Sequence, residues 1–265
     1  MILDKQSFDS SFEVFLADTL ESKQIHYQLR YQVYCDEMGF EDKTQFPEQM
    51  EYDEWDDHSI HFLVRHKASG HWLGGLRLVS HRDQTLPFEN SANLYQKILP
   101  VERQAAAEMS RLCVIKEARR FSSKRFAPYG IPEQEISKEN DKVRSLYNFK
   151  NHTRSLMWGL FRAAAEYSSK QNLQYWYFLV APALACFIRR EGFEMRQVGD
   201  VCQHRGLRTP YQISVENILA NPLWLKDYKQ HYSLYSDLER KQQQVSYFYP
   251  AKIASNFWKI MPTWP

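Results

Sequence analysis

An α/β protein built on one mixed sheet is the expectation here, because strand-type and helix-type periodicities alternate along the chain. Strand formers fill Ile60–His66, Trp72–Ser80 and Ala107–Ile115. A helical repeat at Thr153–Ser169, a continuous apolar run at Gln174–Val180 and a further helix at Pro182–Arg190 follow in order. At 265 residues the chain is large for one core and small for two. One α/β domain over residues 1–215 is therefore expected, with residues 216–265 as a helical extension packed on that domain.

From the amino end, Ser22–Met38 sets Ile25, Leu29, Val33 and Met38 along one helical face, and Gly39 supplies a stop. That phasing puts Arg30 one position off the buried stripe, within reach of a neighbouring cleft. Phe40–Ser59 reads as an acidic, proline-containing loop, and Lys67–Gly70 as the connection of a hairpin between the first two strands. Leu86–Leu99, bracketed by Pro87 and Pro100, is expected as a short helix. Phe121–Lys150 is polar, with Pro128, Gly130 and Pro132, and is expected as a long loop of the kind that is usually functional. Leu156, Leu160, Ala163, Ala164 and Tyr167 give the helix at Thr153–Ser169 its apolar side. Gly192 stops the next helix, and short strands near Glu194–Val198 and Tyr211–Val215 complete the sheet. The tail, with Trp224, Trp258 and Trp264, carries no motif.

Composition narrows the choices. Lys and Arg number 34 against 32 Asp and Glu, so a net charge of +2 gives no global pull toward nucleic acid or membrane. Cys35, Cys113, Cys186 and Cys202 lie far apart with no C-x-x-C pair, which reads as buried thiols of a reducing compartment rather than a zinc or disulfide framework. Met1–Phe12 has no apolar stretch of the signal-peptide kind, and Tyr175–Ile188 is too short to span about 30 Å of hydrocarbon. A cytoplasmic protein is expected, without a nucleic-acid partner, transmembrane segment or metal, and with peripheral membrane contact left open.

Three short signatures carry the chemistry: Glu51-Tyr52-Asp53-Glu54-Trp55-Asp56, Gly74-Gly75-Leu76-Arg77 and Glu108-Met109-Ser110-Arg111. The carboxylates of Glu51, Asp53 and Asp56 repel one another and need solvent, a metal or a basic partner. A calcium loop would want more oxygen ligands and a glycine hinge. Arg77 follows two strand glycines, where an arginine is more often a structural ion pair than a reacting group. Glu108 opens the central strand with Ser110 on the same side two residues on, so the two can share a site; a solvated strand-end carboxylate is the alternative. Lys116, Arg119, Arg120, Lys124 and Arg125 form a cation cluster that, unaided, reads as a solvated face or a nonspecific nucleic-acid patch. His58, His61, His66 and His71 lack metal spacing and read as strand-end histidines.

In this order, with Arg30 upstream, the signatures resemble the acyl-homoserine-lactone (autoinducer) synthases. The resemblance is closer to a branch of them, the PEP-CTERM/exosortase-system-associated acyltransferases, which are N-acyl amino acid synthase-like. Arg30-Tyr31-Gln32-Val33-Tyr34-Cys35, Tyr52–Phe62, Glu108–Val114, Trp176-Tyr177 with Ala181–Leu184, and Arg189-Arg190-Glu191-Gly192 carry it, from about Tyr27 to about Tyr211. The resemblance implies a GNAT-type fold, a mostly antiparallel central sheet in three α/β/α layers. It implies an enzyme that moves a fatty acyl group from a phosphopantetheine thioester to the amine of a small molecule, an amino acid being favoured. Glu108, Ser110 and Arg111 would then be catalytic, with Glu108 as base; Arg30, Asp53, Asp56, Arg77 and Phe40 would bind the amine; Leu112, Val114, Arg119, Arg120, Lys124 and Arg125 would bind the donor. No cofactor is bound permanently. The glycine-rich R/Q-x-x-G-x-G/A turn is replaced by Arg119-Arg120-Phe121-Ser122-Ser123-Lys124, which favours acyl carrier protein over coenzyme A as the donor's bearer. Phe40 stands where autoinducer synthases usually have tryptophan, so lactone formation from S-adenosylmethionine is the second reading, and a catalytically silent binding module the third.

Overall fold

The protein is seen here in a computed structural model that describes residues 8–80, 85–119 and 141–248. Four strands, β1 (Phe12–Leu16), β2 (Ser59–His66), β3 (Trp72–Val79) and β4 (Ala106–Val114), run antiparallel in succession. β4 pairs in parallel with β5 (Tyr175–Val180), and β8 (Leu207–Ser214) lies antiparallel on the far side of β5. The two-residue strands β6 (Arg196–Gln197) and β7 (Cys202–Gln203) both pair with β8, and β9 (Ser233–Leu234) joins β1 in parallel. The sheet is mixed and mostly antiparallel, as a GNAT-type fold requires.

Side-chain alternation builds the layers. Phe62 and Val64 of β2 and Leu76 and Leu78 of β3 face one way, where Leu156, Leu160, Phe161 and Ala164 of α2 (Asp141–Lys170) cover them. Leu63 and Cys113 face the other way, onto Leu29 of α1 (Leu20–Arg30) and Val33 just after it. α1 begins where Thr19 and Ser22 cap each other's backbone amides. Its buried stripe is Ser22, His26, Leu29 and Arg30, so Arg30 lies on that stripe and not beside it. The helix then continues as a π-turn, Tyr31–Glu37, in which the Met38 amide donates to Val33 five residues back. The wider turn shifts the phase, leaves Met38 exposed and buries Cys35 instead.

Several expectations change. Leu86–Leu99 is not a helix: Pro87–Asn90 makes one 3₁₀ turn, Leu94 bridges to Gly199, and a four-residue helix starts only at Pro100. Glu89 is spent on the Leu86 amide at 2.6 Å, and Leu86, Phe88 and Ile98 pack with Ala106 and Tyr177 in a small core of their own. α2 begins at Asp141, so the loop expected over 121–150 ends at least ten residues early; residues 121–140 lie outside the described residues. β1, β7 and β9 have no counterpart among the expected strands, and β8 starts at Leu207 rather than Tyr211. All four cysteines are free, and Cys35 and Cys113 are buried, but Cys186 is exposed and Cys202 half-buried. Trp224 packs on Trp158 and Phe193, and Tyr235 of α5 (Tyr235–Phe248), which follows α3 (Pro182–Arg190) and α4 (Val215–Leu219), lies against Trp72. Among the described residues no helix is long and apolar enough to cross a membrane.

Two features of β4 shape its site. Gly75 pairs with Cys113 but Arg77 with Ser110, so β4 carries one extra residue, taken up at Arg111 with φ +50°. The β4–β5 ladder covers only Ala106–Glu108 against Tyr175–Tyr177. Beyond Glu108 the two strands part, and Glu108 stands at the apex of the wedge between them.

The close approach of α1 to β3 rests on Gly75. A Cβ there would lie 2.2 Å from Cδ2 of His26 and 2.9 Å from the Phe62 carbonyl oxygen. Gly75→Ala should therefore lower stability by about 1–3 kcal/mol, the usual cost of overpacking. Urea titration reads this directly, and an unchanged midpoint would mean that α1 yields freely.

Candidate active site

Register lines up the polar side chains. His61, Arg77 and Ser110 are direct neighbours across β2, β3 and β4, and one step along lie Ser59, Val79 and Glu108, all on the α1 face. The loop of Glu51, Asp53 and Asp56 folds over this row. The Glu51 amide donates to the Tyr27 carbonyl at 3.1 Å, and Asp56 accepts from the Asp53 amide at 2.7 Å.

Three arginines meet the three carboxylates. Arg30 donates through Nε to Glu51 and through Nη1 to Asp56 at 2.6 Å. Arg77 Nη1 bridges Asp53 at 2.5 Å and Asp56 at 3.0 Å, while its Nε donates to Ser110 Oγ at 3.1 Å. The bulge turns Arg111 to the same side, where Nη2 donates to Glu51 at 3.0 Å and Asp53 at 2.9 Å. The carboxylates found the basic partner their spacing demanded. Burial alone would raise Glu51 and Asp56, yet Arg30 with Arg111, and Arg30 with Arg77, hold them below the ordinary carboxylate range.

Beneath this network His26 and His61 share an Nδ1···Nδ1 hydrogen bond of 3.0 Å. Burial pulls His61 down to about 3 and His26 well below its ordinary value, with neighbouring arginines adding to both shifts. Both rings are neutral at pH 7. Glu108 is moved the opposite way. Burial lifts it to about 8, against the 2.6 Å bond it accepts from the Phe88 amide and the pull of Arg77 and Arg111.

Among the residues expected from sequence, Glu108, Ser110, Arg111, Arg30, Asp53, Asp56 and Arg77 come together. Arg30, Asp56 and Arg77 are buried and bonded within the network, so of these ion-paired groups Asp53, 26% exposed at its side chain, has the most open face. Phe40 is exposed and its ring stacks on Tyr34, whose hydroxyl donates to the Leu112 carbonyl at 3.0 Å. Val114 is buried in the main core on the α2 side, and the half-buried Leu112 packs against that core. Arg119 ends a short helix, Lys116–Arg119; its side chain and Arg120, Lys124 and Arg125 lie outside the described residues. An open groove of about 410 Å³ runs beside the end of β5, lined by Pro182, Cys186, Arg189, Thr209 and Tyr211 among others.

Sequence reading missed His26, Glu41 and Arg205. His26 had a signal: Ser22, His26 and Arg30 recur every four residues and make a polar stripe where an ordinary helix would be apolar. Arg205 had none, because a turn residue is brought to the site only by the tertiary pairing of β7 with β8.

Residues 29–127 match the family model of the acetyltransferase (GNAT) domain. Among solved structures, TofI in a ternary complex with an inhibitor and MTA superposes with a TM-score of 0.53 at 16% identity, over 80% of this chain and 98% of that one. BjaI, a CoA-dependent acyl-homoserine lactone synthase with SAM and isopentyl-CoA, gives a TM-score of 0.54 at 14% identity, over 84% and 92%. FeeM, an N-acyl amino acid synthase from uncultured soil microbes, fits less closely, with a TM-score of 0.43 at 11% identity over 79% and 94%. Among curated protein sequences none matches significantly. The matched stretch and the sheet together show a GNAT-type architecture.

Proposed function

We propose that this protein moves a fatty acyl group from a phosphopantetheine thioester, borne by acyl carrier protein, to the amine of a small molecule, an amino acid. The observation that carries this reading is Glu108, buried at the apex of the wedge with its carboxyl lifted to about 8, next to Ser110 and Arg111. An amine attacking a thioester becomes far more acidic as the C–N bond forms, so a base that titrates at about 8 can accept its proton at that stage. The donor's arm lies between the parted strands β4 and β5, where main-chain groups of β4 have no β5 partner. Ser110, accepting from Arg77, keeps its own hydroxyl hydrogen free to donate to the thioester oxygen as negative charge develops there. As the C–N bond forms and the C–S bond breaks, the amine proton passes to Glu108 and from it to the departing thiolate. The closer resemblance to the exosortase-system-associated branch, and the ion pairs beside Glu108, favour an acceptor that carries charge of its own.

The test is thiol release from a long-chain acyl carrier protein with and without a broad amine panel, followed by mass spectrometry of the products. Release that depends on an amine, with an N-acyl product, is expected. Equal release in its absence would identify a thioesterase, and a lactone formed from S-adenosylmethionine would identify an autoinducer synthase.

A further inference from the structure

The mouth of the site holds a carboxylate between two arginines that come from opposite walls. Glu41, on the loop after the π-turn, pairs through Oε1 with Arg205 and lies 3.9 Å from Nη2 of Arg111. Arg205 sits in the β7–β8 turn at φ +50° and Gly206 follows at φ +94°, the pair of positive angles that a tight hairpin turn takes, so the turn fixes where the Arg205 side chain leaves the backbone. Its Nη1 donates to His204 Nε2 at 2.9 Å, which leaves the His204 Nδ1 hydrogen to reach Ser91 Oγ at 3.3 Å. The guanidinium is thus held between His204 and Glu41. Next to it, Asp53 offers the most open carboxylate of the network, 2.9 Å from Arg111.

We propose that Glu41 occupies the position of the acceptor's own carboxylate, and that Arg205, with Arg111, selects acceptors that bear one. This rests on the amine acylation proposed above. The acceptor's carboxylate replaces Glu41 between the two arginines, Glu41 turns outward into water, and the acceptor's ammonium faces Asp53. Between the two arginines one carboxylate takes the place of another, so the charge there is unchanged by the exchange. Arg205 is a specificity-determining residue on this account, and lies well outside the stretch that matches the acetyltransferase domain.

The test compares two ligands that differ only in the carboxylate, N-dodecanoylglycine and N-ethyldodecanamide, by titration calorimetry on the whole chain. The unaltered protein should prefer the acid. Arg205→Gln should erase about tenfold to a hundredfold of that preference, the range for a lost charged hydrogen bond, with the amide's affinity unmoved. Arg205→Lys should restore part of it. Glu41→Gln should tighten the acid severalfold, because the resident competitor is gone; a merely structural pair would weaken or leave it. No preference in the unaltered protein, equal weakening of both ligands by Arg205→Gln, or a weaker acid with Glu41→Gln would each overturn the proposal. Binding is read without turnover, so a carboxylate preference with no acyl transfer to any amine would strike the proposed reaction and leave this site standing.

Discussion

Glu108→Gln should lower turnover by about 10²–10⁴-fold, the range for a general base, while leaving the fold intact. The amide oxygen can still accept from the Phe88 amide, which Glu108 now holds at 2.6 Å. Folding should even gain at alkaline pH. A carboxyl raised from its ordinary value to about 8 favours the fold in its neutral form, so its contribution is full below about 4.5 and is lost as pH rises through 8. The glutamine stays neutral throughout and avoids that loss. The expected pair of results is therefore a collapse of turnover with a melting temperature level with the parent's near pH 4.5 and rising progressively above it from there to pH 9.

The same shift sets a pH profile. kcat/KM should climb through about 8 as Glu108 loses its proton, then level off. Because an α-amine titrates in the same interval, the rise must be separated from the acceptor's own. With an acceptor whose amine is far less basic, the limb near 8 should stay in place for the parent and vanish in Glu108→Gln. A limb that moves with the acceptor, or turnover that survives the substitution, would remove Glu108 from the reaction.

The sequence showed these strands because β2, β3, β4 and β5 are dense in strand formers and flanked by turn residues. β1 is also dense in strand formers and bounded by Asp9-Ser10-Ser11 and Asp18, but at five residues near the amino end its strand signal is short, and pairing with β2 is what places it in the sheet. The π-turn after Arg30 and the bulge at Arg111 were invisible for a related reason. Each adds a residue to a regular period, and periodicity can only be read where it is not interrupted. Both irregularities fall at the site and aim a side chain: one shifts Met38 out to solvent, the other puts Arg111 beside Ser110. The residue types of the site were legible, since three carboxylates so close need cations. What could not be read is that Arg30, Arg77 and Arg111 would each hydrogen-bond two of them, because that depends on distances set by the packing of α1 on three strands in register.

The network they form makes Arg30 the residue whose loss should cost most in stability. Its guanidinium is fully buried and bonds Glu51 through Nε and Asp56 through Nη1. Arg30→Met removes the cation and leaves the chain length, so Glu51 keeps Arg111 and Asp56 keeps Arg77, each with one partner fewer in a site poor in water. Breaking a buried pair from one side costs about 3–5 kcal/mol, or roughly 6–20 °C in melting temperature at about 2–4 °C per kcal/mol for a chain of this size. Arg30→Lys should recover little, because a point charge cannot serve two carboxylates from a rigid fork. Glu51→Gln provides the control: if the penalty in Arg30→Met comes from uncompensated charge, the double variant should lose clearly less than the sum of the single losses. Strict additivity in that cycle, or a melting temperature for Arg30→Met within a degree or two of the parent, would show that the cluster is held by packing and that its ion pairs add nothing measurable.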